Sequence, residues 1–166
     1  VGDIDPRYPG YEVWSFYGVY NGPTNTLITT SHPYPAFRLW WDGDTLSESF
    51  NDGKIEKWNY ATNSVSRLVT TWKYHSAIRS DRGAPVFYGD IMGDWREEVI
   101  LTSSDYTKLV IFTTNIPTDV RIYTLAQNPA YRNSMTIKGY MQSHLTDYYL
   151  GDGMDTPPTP NIYLAP

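Results

Sequence analysis

Gly89-Asp90-Ile91-Met92-Gly93-Asp94-Trp95-Arg96-Glu97-Glu98-Val99 decides how this chain reads. A Gly-Asp turn feeds an acidic loop, the loop ends in glutamate, and a β-type run, Glu98–Thr102, follows. The N-terminal end repeats the pattern in looser form as Gly2-Asp3-Ile4-Asp5-Pro6-Arg7-Tyr8-Pro9-Gly10-Tyr11-Glu12-Val13. The two copies are far enough apart to span more than one unit. Strand groups that recur with acidic loops between them suggest a propeller. Blades of four strands take ~40–70 residues each, so this chain supplies about two to three. A closed ring needs at least about four. The expectation is an all-β chain forming part of a β-propeller ring.

Working outward from these loops, short β segments alternate with turn chemistry. They are Glu12–Val19, Thr26–Thr30, Ala36–Trp41, Thr45–Phe50, Lys54–Asn59, Val65–Tyr74, Pro85–Tyr88, Lys108–Thr113 and Val120–Leu125. Asn51-Asp52-Gly53 predicts a tight hairpin between two of them. Asn128-Pro129 is a cap followed by a first-turn proline, which predicts one short helix over 128–137 with Tyr131, Met135 and Ile137 on one face. The blades are expected over 1–154. Residues 155–166 read as a Pro-rich tail whose Asn161–Leu164 is a candidate closing strand.

The charge balance is −5 and only 19% of residues are charged, so the basic footprint of a nucleic-acid binder is missing. Apolar runs are short, which excludes a membrane-spanning helix. Zero cysteine removes disulfides, Cys-based zinc sites and a Cys nucleophile. Val1-Gly2-Asp3 resembles no signal peptide, and the chain reads as a piece of a longer or processed protein. Aromatic residues make up 16% of it. Such rings either fill strands or stack on the apolar faces of sugars.

Asp90, Asp94 and Glu98 fall at positions one, five and nine of a calcium loop, with Met92 where a further ligand belongs. Asp3, Asp5 and Glu12 form a second, looser set, and Asp42-Gly43-Asp44 a third short turn. Carboxylates gathered on a tight turn suit Ca²⁺, although Asp also favours turns for its own backbone bonding. Basic residues are scarce, so His75, Arg79, Arg82, Lys138 and His144 stand out as contacts for a carboxylated sugar. Lys138-Gly139-Tyr140-Met141-Gln142-Ser143-His144 packs several donors into one short stretch. Phosphate loops, nucleophile elbows and zinc-type histidine pairs are missing.

GDIDPRYPGYEVW (Gly2–Trp14), LWWDGDTLSE (Leu39–Glu48), GDIMGDWREEVI (Gly89–Ile100), IPTDVRIYTLAQNPAYR (Ile116–Arg132) and YYLGDGM (Tyr148–Met154) together resemble the C-terminal part of rhamnogalacturonan lyases of polysaccharide lyase family 11. The resemblance covers essentially the whole chain. It implies an eight-bladed propeller with many calcium ions, secretion, and cleavage of the rhamnose–galacturonate backbone of pectin (rhamnogalacturonan I) by β-elimination. It implies that N-terminal blades precede this portion, as part of the same chain or as another polypeptide. The family's catalytic calcium ligands belong to those earlier blades. Tyr140 matches the family's site tyrosine and is the expected proton donor. Arg82 is the nearest match to the family's basic residue, but the Asn-Gly-Thr stretch before it is replaced by Arg79-Ser80-Asp81. The Asn expected shortly before Tyr140 is also absent. Arginine is a poor proton acceptor, which leaves the general base unassigned.

Three readings follow. The first is the C-terminal portion of a secreted lyase, with Tyr140 and Arg82 catalytic, and His75, Arg79, Lys138, Gly139, Gln142 and His144 as substrate contacts. The second is a non-catalytic carbohydrate-binding module that stacks plant-wall polysaccharide on Trp40, Trp41, Trp72 or Tyr140. The third is an inactive structural fragment held by calcium.

Overall fold

The computed structural model describes residues 1–78, 83–136 and 143–162. Within them the chain is mostly β, with three antiparallel sheets and one short helix. The first sheet is a meander of β1(Glu12–Ser15), β2(Gly18–Asn21) and β3(Thr26–Thr29). The run expected as one strand over Glu12–Val19 folds back at Phe16-Tyr17, where Ser15 pairs with Gly18. The exposed aromatic rings in that turn mimic strand composition, and only Gly18, at φ 136°, marks the reversal.

The second sheet runs in chain order through β4(Phe37–Leu39), β5(Glu48–Asn51), β6(Lys54–Asn59) and β7(Ser64–Thr70). Its β5–β6 turn is the predicted hairpin. Asp52 and Gly53 both have positive φ, 53° and 73°, as a type I′ turn demands. That two-residue turn fixes the register outward from Asn51–Lys54 to Glu48–Lys57.

The third sheet contains β8(Ala77–Ile78), β9(Phe87–Gly89), β10(Glu98–Ser103) and β11(Leu109–Phe112). Both β8 and β9 pair with β10, at Thr102–Ser103 and Glu98–Ile100. Because β11 occupies the other edge of β10 over Val99–Thr102, β8 and β9 lie end to end on one edge. One strand is therefore interrupted, and residues 79–86 intervene between its halves.

The β4 and β5 strands of the second sheet are buried on both faces, whereas β7 is largely exposed. Phe37, Leu39, Phe50 and Ile55 pack against Ala77, Tyr88, Val99 and Leu101 of the third sheet. Trp58 of β6 instead joins Ile4, Trp14 and Val19 on the side of the first. Each of the Phe, Leu, Ile and Val side chains among them contributes ~1.5–3 kcal/mol when fully buried. A third cluster, Trp40, Trp95, Leu125, Tyr131 and Leu150, fastens the helical segment to the acidic loops.

Two expectations are corrected. Val120–Leu125 joins no ladder, because the Leu125 N–H goes to the Asp90 carboxylate (2.7 Å) and the chain turns into a 3-10 turn at Leu125–Gln127. Asn161 and Ile162 form no strand, and 163–166 lie outside the described residues. The helix is α1(Pro129–Thr136). Its cap is as expected: the Asn128 side chain accepts from the Tyr131 N–H at 3.0 Å. Among the described residues no helix is long and apolar enough to cross a membrane.

Candidate functional site

Three loops share one backbone design. In the first, Glu12 Oε2 accepts the N–H groups of Ile4 (3.0 Å) and Asp5 (3.1 Å). In the second, Glu48 Oε2 accepts those of Trp41 (2.8 Å) and Asp42 (3.3 Å). In the third, Glu98 Oε2 accepts those of Ile91 (2.9 Å) and Met92 (3.0 Å). Each buried glutamate, the first residue of the strand that follows its loop, thus braces two consecutive amides. Neighbouring loops are linked in the same way. Ser47 N–H donates to the Asp3 carbonyl, and Glu97 N–H to the Trp40 carbonyl, both at 2.6 Å. The sequence repeat between Asp3 and Asp90 therefore has a middle copy over Trp40–Glu48, with Trp40 in place of the leading aspartate.

The loops differ in how their negative charge is met. In the first, Asp3 Oδ2 accepts from the Tyr149 hydroxyl (2.7 Å) and the Asp152 N–H (2.5 Å). The other oxygens, Asp3 Oδ1 and Glu12 Oε1, are buried without any hydrogen-bond partner. Burial pushes both carboxyls up, Glu12 to about 7, with the negative charges of Asp3 and Asp5 adding to its rise. Asp5 is held by Arg7, whose Nε and Nη2 lie 2.8 and 2.6 Å from its oxygens. Two orphaned buried acceptors on adjacent carboxylates fit a hard divalent cation.

In the third loop the carboxylate oxygens all accept hydrogen bonds within the protein. Asp90 accepts from Gly93 N–H, Thr124 Oγ1 and Leu125 N–H. The free oxygen of Glu98 accepts from Thr113 Oγ1, and Asp94 is taken by Arg96. The ion expected on Asp90, Asp94 and Glu98 thus finds every oxygen already paired. Trp95 in this loop has φ 72°, a strained value for a bulky residue, and its indole is held in the third cluster.

The second loop is the one place among the described residues where three such groups converge. Oxygens of Asp42, Asp44 and Glu48 lie within 4.8 Å of one another. Calcium does not fit there as the loop stands, since the Lys57 ammonium already contacts all three.

Of the substrate-facing candidates, Arg79, Arg82, Lys138, Gly139, Tyr140 and Gln142 lie outside the described residues. The structure does show what flanks them. Arg38, buried and stacked 3.6 Å over Trp40, donates its backbone N–H to Ser143 Oγ (2.8 Å) and Nη2 to the His144 carbonyl. Glu97 Oε1 accepts from the Tyr131 hydroxyl (2.7 Å) and faces His144 Nδ1 at 3.2 Å. Burial, then the Glu97 charge, drives the Tyr131 phenol far up, so it stays a donor. His144 stacks on Tyr88 with centroids 4.1 Å apart. His144 is therefore buried among protein groups rather than presented to a ligand. The Leu145 N–H donates to Ser134 Oγ of α1 at 3.2 Å.

Trp40 and Trp41 are core residues, 1% and 3% exposed, and offer no face for stacking. Trp72 is half exposed. His75, at φ 52°, lines a separate groove of about 630 Å³ between β7 and β11, with Arg67, Tyr74 and Asn115. Sequence reasoning missed Lys57, Glu97, Arg38 and Tyr131. Only Lys57 had a legible signal: counting outward from Asn51-Asp52-Gly53-Lys54 places it opposite Glu48.

A family model described as "Rhamnogalacturonan lyase family 11, C-terminal domain" matches residues 1–160. The chain belongs to this family. It is 40% identical over 165 residues to the rhamnogalacturonan endolyase YesW of Bacillus subtilis (strain 168), covering 98% of this chain and 26% of that protein. It is 34% identical over 181 residues to the rhamnogalacturonan exolyase YesX of the same organism, covering 98% and 29%. The crystal structure of YesW superposes with a TM-score of 0.92 at 38% identity, over 99% of this chain and 28% of that one. The rhamnogalacturonan lyase PL11 of Bacillus licheniformis gives 0.90 at 39% identity, over 98% and 28%. The chain thus spans less than a third of the length of these relatives.

Proposed function

We propose that this chain is the C-terminal portion of a secreted rhamnogalacturonan lyase and contributes consecutive blades to its propeller ring. The observation that carries the reading is the unbroken likeness to such lyases, which at a TM-score of 0.92 spans 99% of the chain. The inter-loop hydrogen bonds that recur from sheet to sheet support the propeller geometry. The substrate is the rhamnose–galacturonate backbone, and the reaction is β-elimination. An enzyme base takes the C5 proton of galacturonate, the freed electron pair forms the C4–C5 double bond, and the C4–O4 bond breaks. Tyr140 protonates the leaving oxygen, and Arg82 pairs with the substrate carboxylate. The buried Arg38–Glu97–His144–Tyr131 cluster acts at a distance, by holding Ser143 and His144.

Calcium belongs to the first loop in this reading, on Asp3 Oδ1 and Glu12 Oε1, where it would neutralise buried charge. The test of activity is the release of unsaturated product from rhamnogalacturonan I by the full enzyme and its Tyr140→Phe variant. Loss of a general acid is expected to slow turnover about 100-fold or more with little change in KM. Equal turnover by the variant would remove Tyr140 from the chemistry, and no product from the parent enzyme would end the lyase reading. Polysaccharide binding without cleavage would favour the binding-module reading, with Trp72 as its platform.

A further inference from the structure

In the second acidic loop each carboxylate divides its two oxygens between two tasks. Asp42 Oδ1 accepts the Asp44 N–H (3.1 Å), and Asp44 Oδ1 accepts the Leu46 N–H (2.9 Å). Glu48 Oε2 takes the two loop amides already described. The remaining oxygens, Asp42 Oδ2, Asp44 Oδ2 and Glu48 Oε1, all turn to one atom, Lys57 Nζ, at 2.5, 2.8 and 2.9 Å. Asp42 Oδ2 and Asp44 Oδ2 accept hydrogen bonds from this ammonium, and Glu48 Oε1 faces it as an ion-pair partner. We propose that Lys57 is the resident cation of this loop, its ammonium standing where a divalent ion would otherwise sit, so that the loop folds without metal.

The placement is built into the hairpin. Lys57 lies directly across the ladder from Glu48, in a register set by the two-residue turn at Asp52-Gly53. Its head group is mostly enclosed, with 20% of the side chain exposed, and the Glu48 side chain is fully buried. Burial alone would lower the Lys57 pKa, but Glu48, Asp42 and Asp44 outweigh it and hold the ammonium charged above the ordinary lysine range. A tethered cation has no binding equilibrium, so the loop cannot be emptied by dilution or chelator. The inference stands whatever the first loop binds.

The test is calcium content and chelator sensitivity of the full protein, comparing wild type with Lys57→Met, Lys57→Arg and Asp44→Asn. Lys57→Met is expected to gain one equivalent of tightly held calcium over wild type, and to melt lower in chelator than in calcium by a larger margin. Lys57→Arg is expected to gain none. Asp44→Asn, at a half-exposed position, is expected to leave the calcium content of the wild type unchanged. One equivalent lost in Asp44→Asn would show that the native loop holds a metal and would overturn the proposal. A folded Lys57→Met with no added calcium would also overturn it, because the loop would then not be a cation seat. Should Lys57→Met fail to fold, the Asp44→Asn result decides alone.

Discussion

The first and second acidic loops have the same braced backbone and opposite ways of meeting their charge. In the first, the cationic side chain is Arg7, which is 46% exposed and reaches only Asp5. Asp3 and Glu12 keep one orphaned oxygen each. In the second, Glu48 Oε1 also accepts no hydrogen bond, but the Lys57 ammonium stands 2.9 Å from it and bonds Asp42 and Asp44 as well. The lesson is that the acidic pattern alone does not specify a metal. Between these two loops the difference is a cation delivered into the second by a neighbouring strand, and that depends on register rather than on the loop's own sequence.

The largest effect that could break this comparison is on stability. Removing one partner from a buried ion pair leaves an uncompensated charge and costs ~3–5 kcal/mol. Lys57→Met should therefore lower the folding free energy in chelator by about 3 kcal/mol or somewhat less, given its partial exposure. Arg7→Met should cost under about 1 kcal/mol, as exposed pairs do. Urea unfolding in chelator measures both, and equal costs would erase the distinction between the loops.

Calcium itself comes next. A ligand at about 100 times its dissociation constant stabilises by ~2.7 kcal/mol, so wild type should melt several degrees higher in calcium than in chelator. Glu12→Gln should remove most of that difference, and scanning calorimetry of the two proteins reads it directly. A full calcium shift in Glu12→Gln would place the ion elsewhere.

The pH dependence sharpens the same point. Burial raises the folded Glu12 carboxyl to about 7 from an ordinary 4.5. The folded state then binds the proton more tightly than the unfolded chain. In chelator the stability due to this group is complete below pH ~4.5 and is lost as pH rises through about 7. Calcium should flatten that decline, since the ion takes the place of the proton. Melting temperatures from pH 4.5 to 8, with and without calcium, would show parallel curves if no ion binds there.

The smallest effect belongs to an exposed turn that serves as a control. Asp105 accepts from Ser103 Oγ, Thr107 N–H and Thr107 Oγ1 at 2.5, 3.1 and 2.8 Å, and these bonds hold its carboxyl down at about 2. Its contribution is present above the unfolded value near 3.8 and is lost as pH falls through about 2. Asp105→Asn should change acid stability slightly and calcium dependence not at all.

The hairpin at Asn51-Asp52-Gly53 and the capped helix at Asn128-Pro129 were legible because each depends on local backbone chemistry. So was the repeat of acidic loops, though its middle copy was hidden by Trp40 standing for aspartate. The break at Phe16-Tyr17 was not legible, because aromatic residues there satisfy strand composition while forming a turn. Nor was the fate of Trp40 and Trp41, since facing sugar and facing the core ask for the same side chain. For the candidate site, residue type pointed to Asp90, Asp94 and Glu98, and their oxygens accept hydrogen bonds from Thr113, Thr124 and Arg96. Those partners are distant in sequence or flexible, and no spacing rule announces them.

The most direct test of the account is an anomalous difference map from crystals of the full enzyme grown with calcium and soaked in terbium. The account predicts an ion peak between Asp3 Oδ1 and Glu12 Oε1 and none among Asp42, Asp44 and Glu48, where Lys57 Nζ should be found. A peak in the second loop with Lys57 displaced, or bare density in the first, would contradict it.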